Sequence, residues 1–167
     1  MNLIKQSSNK NFLIFSKENF YSFLLILILF LVDRISKNTI TNNYSDNIYY
    51  ISEYLNFDLI WNTGIGFGFF SSPSTYLYNA MTLVIGTIII YLLYLILISE
   101  KNKDKIFYSM IIGGALGNFY DRLIFKAVPD FIDIHYKNFH WFTFNIADIF
   151  ICLGVILLIA TGFKIAN

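Results

Sequence analysis

Charge is scarce in this sequence: 14% of its 167 residues are Asp, Glu, Lys or Arg, against about 25% in a water-soluble globular domain. The 12 basic and 11 acidic side chains nearly cancel. With no positive excess to neutralise a phosphate backbone, nucleic acid is not expected as a partner. Cysteine is limited to Cys152, which excludes an internal disulfide. Histidine is limited to His135 and His140, five apart, with neither a cysteine cluster nor the HExxH spacing beside them, so no metal site and no cofactor are expected. No internal repeat or low-complexity linker divides the chain, and residues 1–167 are expected to form one domain. What the sequence has instead is apolar surface. Hydrophobic residues make up 56% and aromatic residues 19%, and the mean hydropathy is +0.58. Such a chain belongs in a bilayer, with aromatic rings at headgroup level and between helices.

Four stretches are expected to cross the membrane, at about 20–40, 76–98, 106–121 and 145–163, given that a span needs roughly 20 helical residues. The first has a short apolar part, 20–32, preceded by Lys5, Lys10 and Lys17, which is also the pattern of a signal peptide. The following Asp33-Arg34-Ile35-Ser36-Lys37 offers no small-x-small cleavage site, so an uncleaved helix is expected. Pro73 and the preceding serine pair mark the start of the second stretch, and Glu100 its end. Placing both termini in the cytoplasm puts seven basic residues on that side (Lys5, Lys10, Lys17, Lys101, Lys103, Lys105 and Lys164) and five outside, of which Arg34 and Arg122 directly follow an Asp. The outer connections are then 41–74 and 122–144. The first carries the β-branched and aromatic runs 48–51 and 57–61, read as a small extracytoplasmic sheet. The fold class is thus membrane all-α: four transmembrane helices with a small extracytoplasmic β-sheet.

On that topology, five of the eleven acids (Asp33, Asp121, Asp130, Asp133 and Asp148) fall at one outer membrane surface. Ionisable groups at a lipid boundary are costly and mark function when they face the bundle interior; a single Asp there is as easily a helix cap. Two patterns favour function. Gly113-Gly114-Ala115-Leu116-Gly117 permits close helix approach and delivers Asn118, Asp121 and Arg122 immediately afterwards. Asn118 and Asp121 are three apart and share a helix face, as do Asn145 and Asp148; Asp33 and Lys37, four apart, share one on the first helix and can pair. A small transporter or proton-relay subunit is the alternative, but it would place acids through the membrane depth, and the middles of helices two, three and four are uncharged.

These residues carry a resemblance. Over roughly 33–148 the chain resembles bacterial lipoprotein signal peptidase, the type II signal peptidase, in five ordered blocks. Asp33-Arg34-Ile35-Ser36-Lys37 resembles D-x-x-S/T-K, and Asn62-Thr63-Gly64-Ile65-Gly66-Phe67-Gly68 resembles N-x-G-A-A-F-G/S. Residues 113–122 match G-G-A-x-G-N-x-x-D-R throughout, Val128-Pro129-Asp130-Phe131-Ile132 resembles V-V-D-F-I, and Phe144-Asn145-Ile146-Ala147-Asp148 matches F-N-x-A-D. Departures are Arg34 in place of Gln, Ile65-Gly66 in place of Ala-Ala, Pro129 in place of Val, and Phe142 where Pro is common. Pro129 fixes φ and removes a backbone donor directly before Asp130.

The resemblance implies a single integral-membrane peptidase domain of the fold just described, acting as an intramembrane aspartic endopeptidase. By the family pattern the catalytic pair is Asp130 and Asp148. Two carboxylates a few Å apart share one proton, so that one activates water and the other donates to the scissile carbonyl. Water is then the nucleophile, and neither a metal nor a Ser/Lys pair is required. Ser36 and Lys37, adjacent on a helix, do not face each other. Asn118 and Asn145 suit amide donation to substrate or to a carboxylate. Arg122 suits pairing with Asp121, and Asn62 with Gly64, Gly66 and Gly68 a loop that substrate backbone can approach. The implied substrates are lipid-modified prolipoproteins cut just before the diacylglyceryl-cysteine, with membrane lipid as surroundings and globomycin as an inhibitor at the dyad. The implied location is the bacterial cytoplasmic (inner) membrane, with the site at its outer face.

The basic-residue bias is directly testable. In a background lacking Cys152, a cysteine at position 46 should react with an impermeant thiol reagent added outside intact cells, and one at position 102 should not; the reverse pattern would invert the topology.

Overall fold

The computed structural model describes residues 16–44, 47–64 and 75–162. Among them the elements run α1 (Lys17–Asn43), β1 (Tyr49–Ser52), β2 (Leu55–Asn62), α2 (Thr75–Ile98), α3 (Asn102–Ile124), β3 (Val128–Tyr136), β4 (Phe139–Phe144) and α4 (Ile146–Gly162). The first helix is capped by Ser16, whose hydroxyl accepts from the Asn19 amide at 3.1 Å. The helices at 20–40 and 76–98 are present with extended ends. The third is the larger departure: it has 23 residues rather than 106–121 and is about 34 Å long at 1.5 Å per residue. Polar residues at both of its ends, Lys103 to Lys105 and Asn118 to Arg122, hide that length from a hydropathy reading. The fourth runs from Ile146, with Asn145 just before it; Phe163 lies outside the described residues.

By length and composition α1 and α2 can each cross a membrane, with mean hydropathies of 1.7 and 2.6. The exposure pattern agrees. Phe20, Leu27, Leu83, Ile90 and Ile156 all lie on helix surfaces and are more than half exposed. A contiguous apolar surface of this kind is tolerated by lipid and not by water. Inside, Ile26 of α1, Ile89 and Ile96 of α2, and Ile112 of α3 form an apolar cluster backed by Leu92, Leu116 and Phe119. Toward one end of the bundle the interior turns polar, with Asp33, Lys37, Asn118, Asp121, Arg122 and Asp148 all buried.

Helix α3 is central to this packing because it is thin where its neighbours cross. A Cβ on Gly114 would collide with the carbonyl oxygen of Ala147 in α4, and one on Gly117 with the carboxylate of Asp33 in α1. The short side chains thereby admit both a backbone and a buried charge.

The sheet is antiparallel throughout, in the order β1-β2-β3-β4. The expected runs 48–51 and 57–61 supply only its first half. The other two strands come from the connection 122–144, where the sequence reading places no strand. β3 follows α3 directly and β4 runs into α4, so the sheet stands at the polar end of the bundle. Pro129 is accommodated as the second residue of β3, opposite Trp61.

A Cβ at Gly114 would meet the Ala147 backbone first and the Ile151 side chain next, so Gly114→Ala should lose about 1–3 kcal/mol of stability. Gly162→Ala, with nothing within 4 Å, should be neutral. Thermal unfolding in detergent compares the two.

Candidate functional site

Lys37 is the polar end's centre. Its side chain is 1% exposed, and its ammonium lies 2.9 Å from Asp33 Oδ2, 2.8 Å from Asp121 Oδ2 and 2.7 Å from Asn118 Oδ1. Three protons meet three acceptors. The expected Asp33–Lys37 pair is present, within a larger network. Arg34, one residue after Asp33, closes a two-point clamp on Asp121, Nη1 to Oδ1 at 2.6 Å and Nη2 to Oδ2 at 2.8 Å. It also reaches Asp33 at 3.3 Å, and its guanidinium lies 5.0 Å from the centre of the Tyr120 ring. Two cations and two carboxylates balance, which is the condition for keeping such charges out of water. Asp33 also reaches a third helix. Its Oδ1 accepts the backbone N–H of Ala147 at 3.1 Å, filling an otherwise unpaired donor at the start of α4.

The expected Arg122–Asp121 pair does not form. Adjacent helical residues point about 100° apart, and Asp121 turns to α1. Arg122 instead donates through Nη2 to the carbonyl of Gly64 at 2.8 Å and through Nη1 to that of Asn118 at 3.2 Å, while the Tyr78 hydroxyl donates to the Arg122 carbonyl at 3.3 Å. It thereby ties the end of the β2 loop to α3. Gly64 also donates its N–H to Asn62 Oδ1 at 2.8 Å, a local turn that aims the other end of the Asn62 amide. Gly66 and Gly68, expected in the same loop, lie outside the described residues.

That amide end reaches Asp130. Asn62 Nδ2 donates to Asp130 Oδ2 at 2.8 Å, and Asn145 Nδ2 donates to Oδ1 at 2.6 Å. Asn145 also stands at the start of α4, where its Oδ1 accepts the Asp148 N–H at 3.1 Å and its own N–H donates to Asp148 Oδ2 at 3.2 Å. This is a reciprocal cap of the kind that completes helix starts. The remaining oxygen, Asp148 Oδ1, accepts from Asn118 Nδ2 at 2.8 Å. Because Lys37 occupies the Asn118 oxygen, the amide has one orientation available, with its nitrogen toward Asp148. Asn145 thus contacts both carboxylates, which are 3% and 9% exposed.

Asp130 lies outside the helices, and its carboxyl is pushed up to about 6. Burial is the larger cause and the charge of Asp148 the next; hydrogen bonds from Asn62 and Asn145 and the positive Lys37 act in the opposite direction. A carboxyl held protonated to that pH beside a second carboxylate is suited to sharing a proton. An apolar cleft lined by Phe142, Phe144, Ile149, Cys152 and Leu153 opens alongside Asp148.

All ten residues expected at or around the site (Asp33, Lys37, Asn62, Gly64, Asn118, Asp121, Arg122, Asp130, Asn145 and Asp148) lie within this network. Asp133, expected to converge with the other acids, does not. β3 alternation turns it to the face away from Asp130, where it meets His140. Arg34 is the residue that sequence reasoning does not place at the site. Its only local signal is the Asp-Arg pair, and its partner Asp121 is 87 positions away.

Comparison with known proteins gives the family of the chain and the likeness of its fold. The family model described as signal peptidase (SPase) II matches residues 25–164. A lipoprotein signal peptidase of Pelagibacter ubique is 48% identical over 147 residues, covering 85% of this chain and 87% of the relative. One of Thermodesulfovibrio yellowstonii is 36% identical over 140 residues, covering 83% and 92%. A bacterial membrane enzyme structure obtained by the in meso method at 2.3 Å resolution superposes with a TM-score of 0.73 at 29% identity, covering 88% of this chain and 90% of that one. A second, at 1.9 Å resolution, gives 0.71 at 27% identity, with coverage of 86% and 93%. The transporter alternative falls with these matches, and the chain belongs to the signal peptidase II family.

Proposed function

We propose that this chain is an intramembrane aspartic endopeptidase that removes signal peptides from lipid-modified prolipoproteins, cutting just before the diacylglyceryl-cysteine, with Asp130 and Asp148 as its catalytic pair. The observation that carries the reading is the bridge by Asn145: its side-chain amide donates to Asp130 Oδ1 and its backbone N–H to Asp148 Oδ2, so one residue contacts both carboxylates, while burial and the charge of Asp148 push the Asp130 carboxyl up to about 6. In the monoprotonated pair, the ionised carboxylate takes a proton from water as that water attacks the scissile carbonyl. The protonated partner donates a hydrogen bond to the developing oxyanion. The proton gained from water then passes to the leaving amine. The chemistry requires no metal or cofactor.

The surroundings support a lipid-anchored substrate. Apolar helix faces allow acyl chains to stay in lipid, and the cleft beside Asp148 is apolar. In this reading all four helices span the bacterial cytoplasmic (inner) membrane as one domain, both termini are cytoplasmic, and the sheet and dyad lie at the outer face. Globomycin, by its family association, would occupy the dyad. The Lys37 network, with Asp33, Asp121, Asn118 and Arg34, positions the dyad without touching the reacting bond. Arg122 and Gly64 hold the loop that carries Asn62.

Two expectations separate these roles. Asp130→Asn and Asp148→Asn should each abolish cleavage of a diacylglyceryl-modified precursor by the purified protein in detergent, with membrane insertion unchanged; near-normal turnover in either would remove that residue from the mechanism. Asp121→Asn leaves buried cations short of a partner and should cost about 3–5 kcal/mol of stability, while the single-turnover rate at saturating substrate changes far less. Full stability with complete loss of turnover would move Asp121 into the catalytic pair.

A further inference from the structure

The hairpin of β3 and β4 gathers a second cluster of ligating side chains. His135 and His140 are directly paired across the strands. Asp133 shares the His135 face of β3, two residues away. Between these positions one residue of β3, Ile134, opposes two of β4, Trp141 and Phe142, a bulge that shifts the register and re-aims side chains locally. The result is one carboxylate serving two imidazoles: Asp133 Oδ2 is 2.8 Å from His140 Nδ1 and 3.6 Å from His135 Nδ1. The rings stack at 5.1 Å with 20° between their planes. One ligand atom from each of the three residues can be chosen so that all lie within 4.8 Å of one another.

The independent observation is His135. It is 8% exposed, and its Nδ1 faces the cluster with no hydrogen-bond partner. A buried imidazole nitrogen left open beside a carboxylate is costly unless something fills the gap. Donors at about 2.0–2.1 Å from a tetrahedral cation sit about 3.3 Å apart, between the two Asp133 separations. The side chain of His140 is 53% exposed, so it can swing to complete the geometry.

We propose that Asp133, His135 and His140 form a binding site for a zinc-class divalent cation that clamps β3 to β4. Two imidazoles and one carboxylate favour Zn2+ over Mg2+ or Ca2+, which prefer all-oxygen shells. Three protein donors leave a fourth position for water. The site is on the face of β3 opposite Asp130 and takes no part in the hydrolytic step. Its effect is mechanical: β3 carries Asp130, and β4 leads into α4 with Asp148. The inference stands on the hairpin alone and does not depend on the proposed function.

The test is Zn2+ binding to the full chain, purified in detergent through a tag free of histidine. Competition against a chromophoric chelator should give one Zn2+ per chain with micromolar or tighter affinity, and Zn2+ should raise the melting temperature. His140→Gln, at the exposed rim, should fold normally, judged by metal-free thermal unfolding, yet bind Zn2+ about tenfold or more weakly, as should Asp133→Asn and His135→Gln. Co2+ substitution should give visible absorption that His140→Gln loses. Wild-type affinity equal to that of His140→Gln, or no stoichiometric binding, would leave an Asp–His hydrogen-bonded pair and overturn the proposal.

Discussion

A buried ammonium has to be neutralised where it stands, and much of this molecule is arranged around that requirement. Lys37 sits on a helix whose outward faces are exposed and apolar, and its partners come from α1 itself and from α3. Bringing α3 that close requires Gly117, because any larger residue would occupy the space of the Asp33 carboxylate. Asp33 then does double service, holding Lys37 and supplying the acceptor that starts α4. The orientation of Asn118 follows from Lys37, and one of the Asp148 hydrogen bonds follows from Asn118. The hydrogen bonding of Asp148 therefore depends on a charge that never contacts it.

The same constraint explains the distribution of polarity. Apolar side chains face outward along the helices, and, apart from a smaller cluster in which Lys105 donates to Asn19, the buried charges gather at one end of the interior. There, each buried charge is paired or hydrogen-bonded, as a low-dielectric setting demands. The four-stranded sheet covers this end and contributes Asn62 and Asp130 from neighbouring strands. The two carboxylates thus arrive from different elements, one from the sheet and one from a helix start, and Asn145 joins them.

Local spacing disclosed much of this. The i,i+4 pair Asp33 and Lys37, and the i,i+3 pairs Asn118/Asp121 and Asn145/Asp148, are features of a helix face and can be read without a structure. Hydropathy found the helices, and the ordered motif blocks found the ten residues of the network. Contacts between distant segments were not legible. Nothing within 33–37 says that Arg34 will grip Asp121, and the motif pairing of Asp121 with Arg122 points the wrong way because neighbours on a helix diverge. Strand β3 is masked by Pro129, Asp130, Asp133 and His135 in a stretch whose burial comes from tertiary packing, whereas β4, with its Phe, Trp and Thr, carries a local strand signal that the hydropathy reading passes over. Their pairing also brings together His135 and His140, whose spacing of five in the chain carries no metal-binding pattern.

The central claim is that Asp130 and Asp148 behave as one titrating pair. It is tested most directly by following the Asp130 carboxyl through its infrared or carbon NMR signal, in the intact protein and in Asp148→Asn. With the raised value, Asp130 stays protonated above the ordinary carboxylate range and ionises near pH 6 in the intact protein. Removing the charge of Asp148 takes away the second-largest cause of that rise, so the midpoint should move clearly downward in the variant. A midpoint that stays put, or an Asp130 already ionised at pH 4 in the intact protein, would contradict a shared proton.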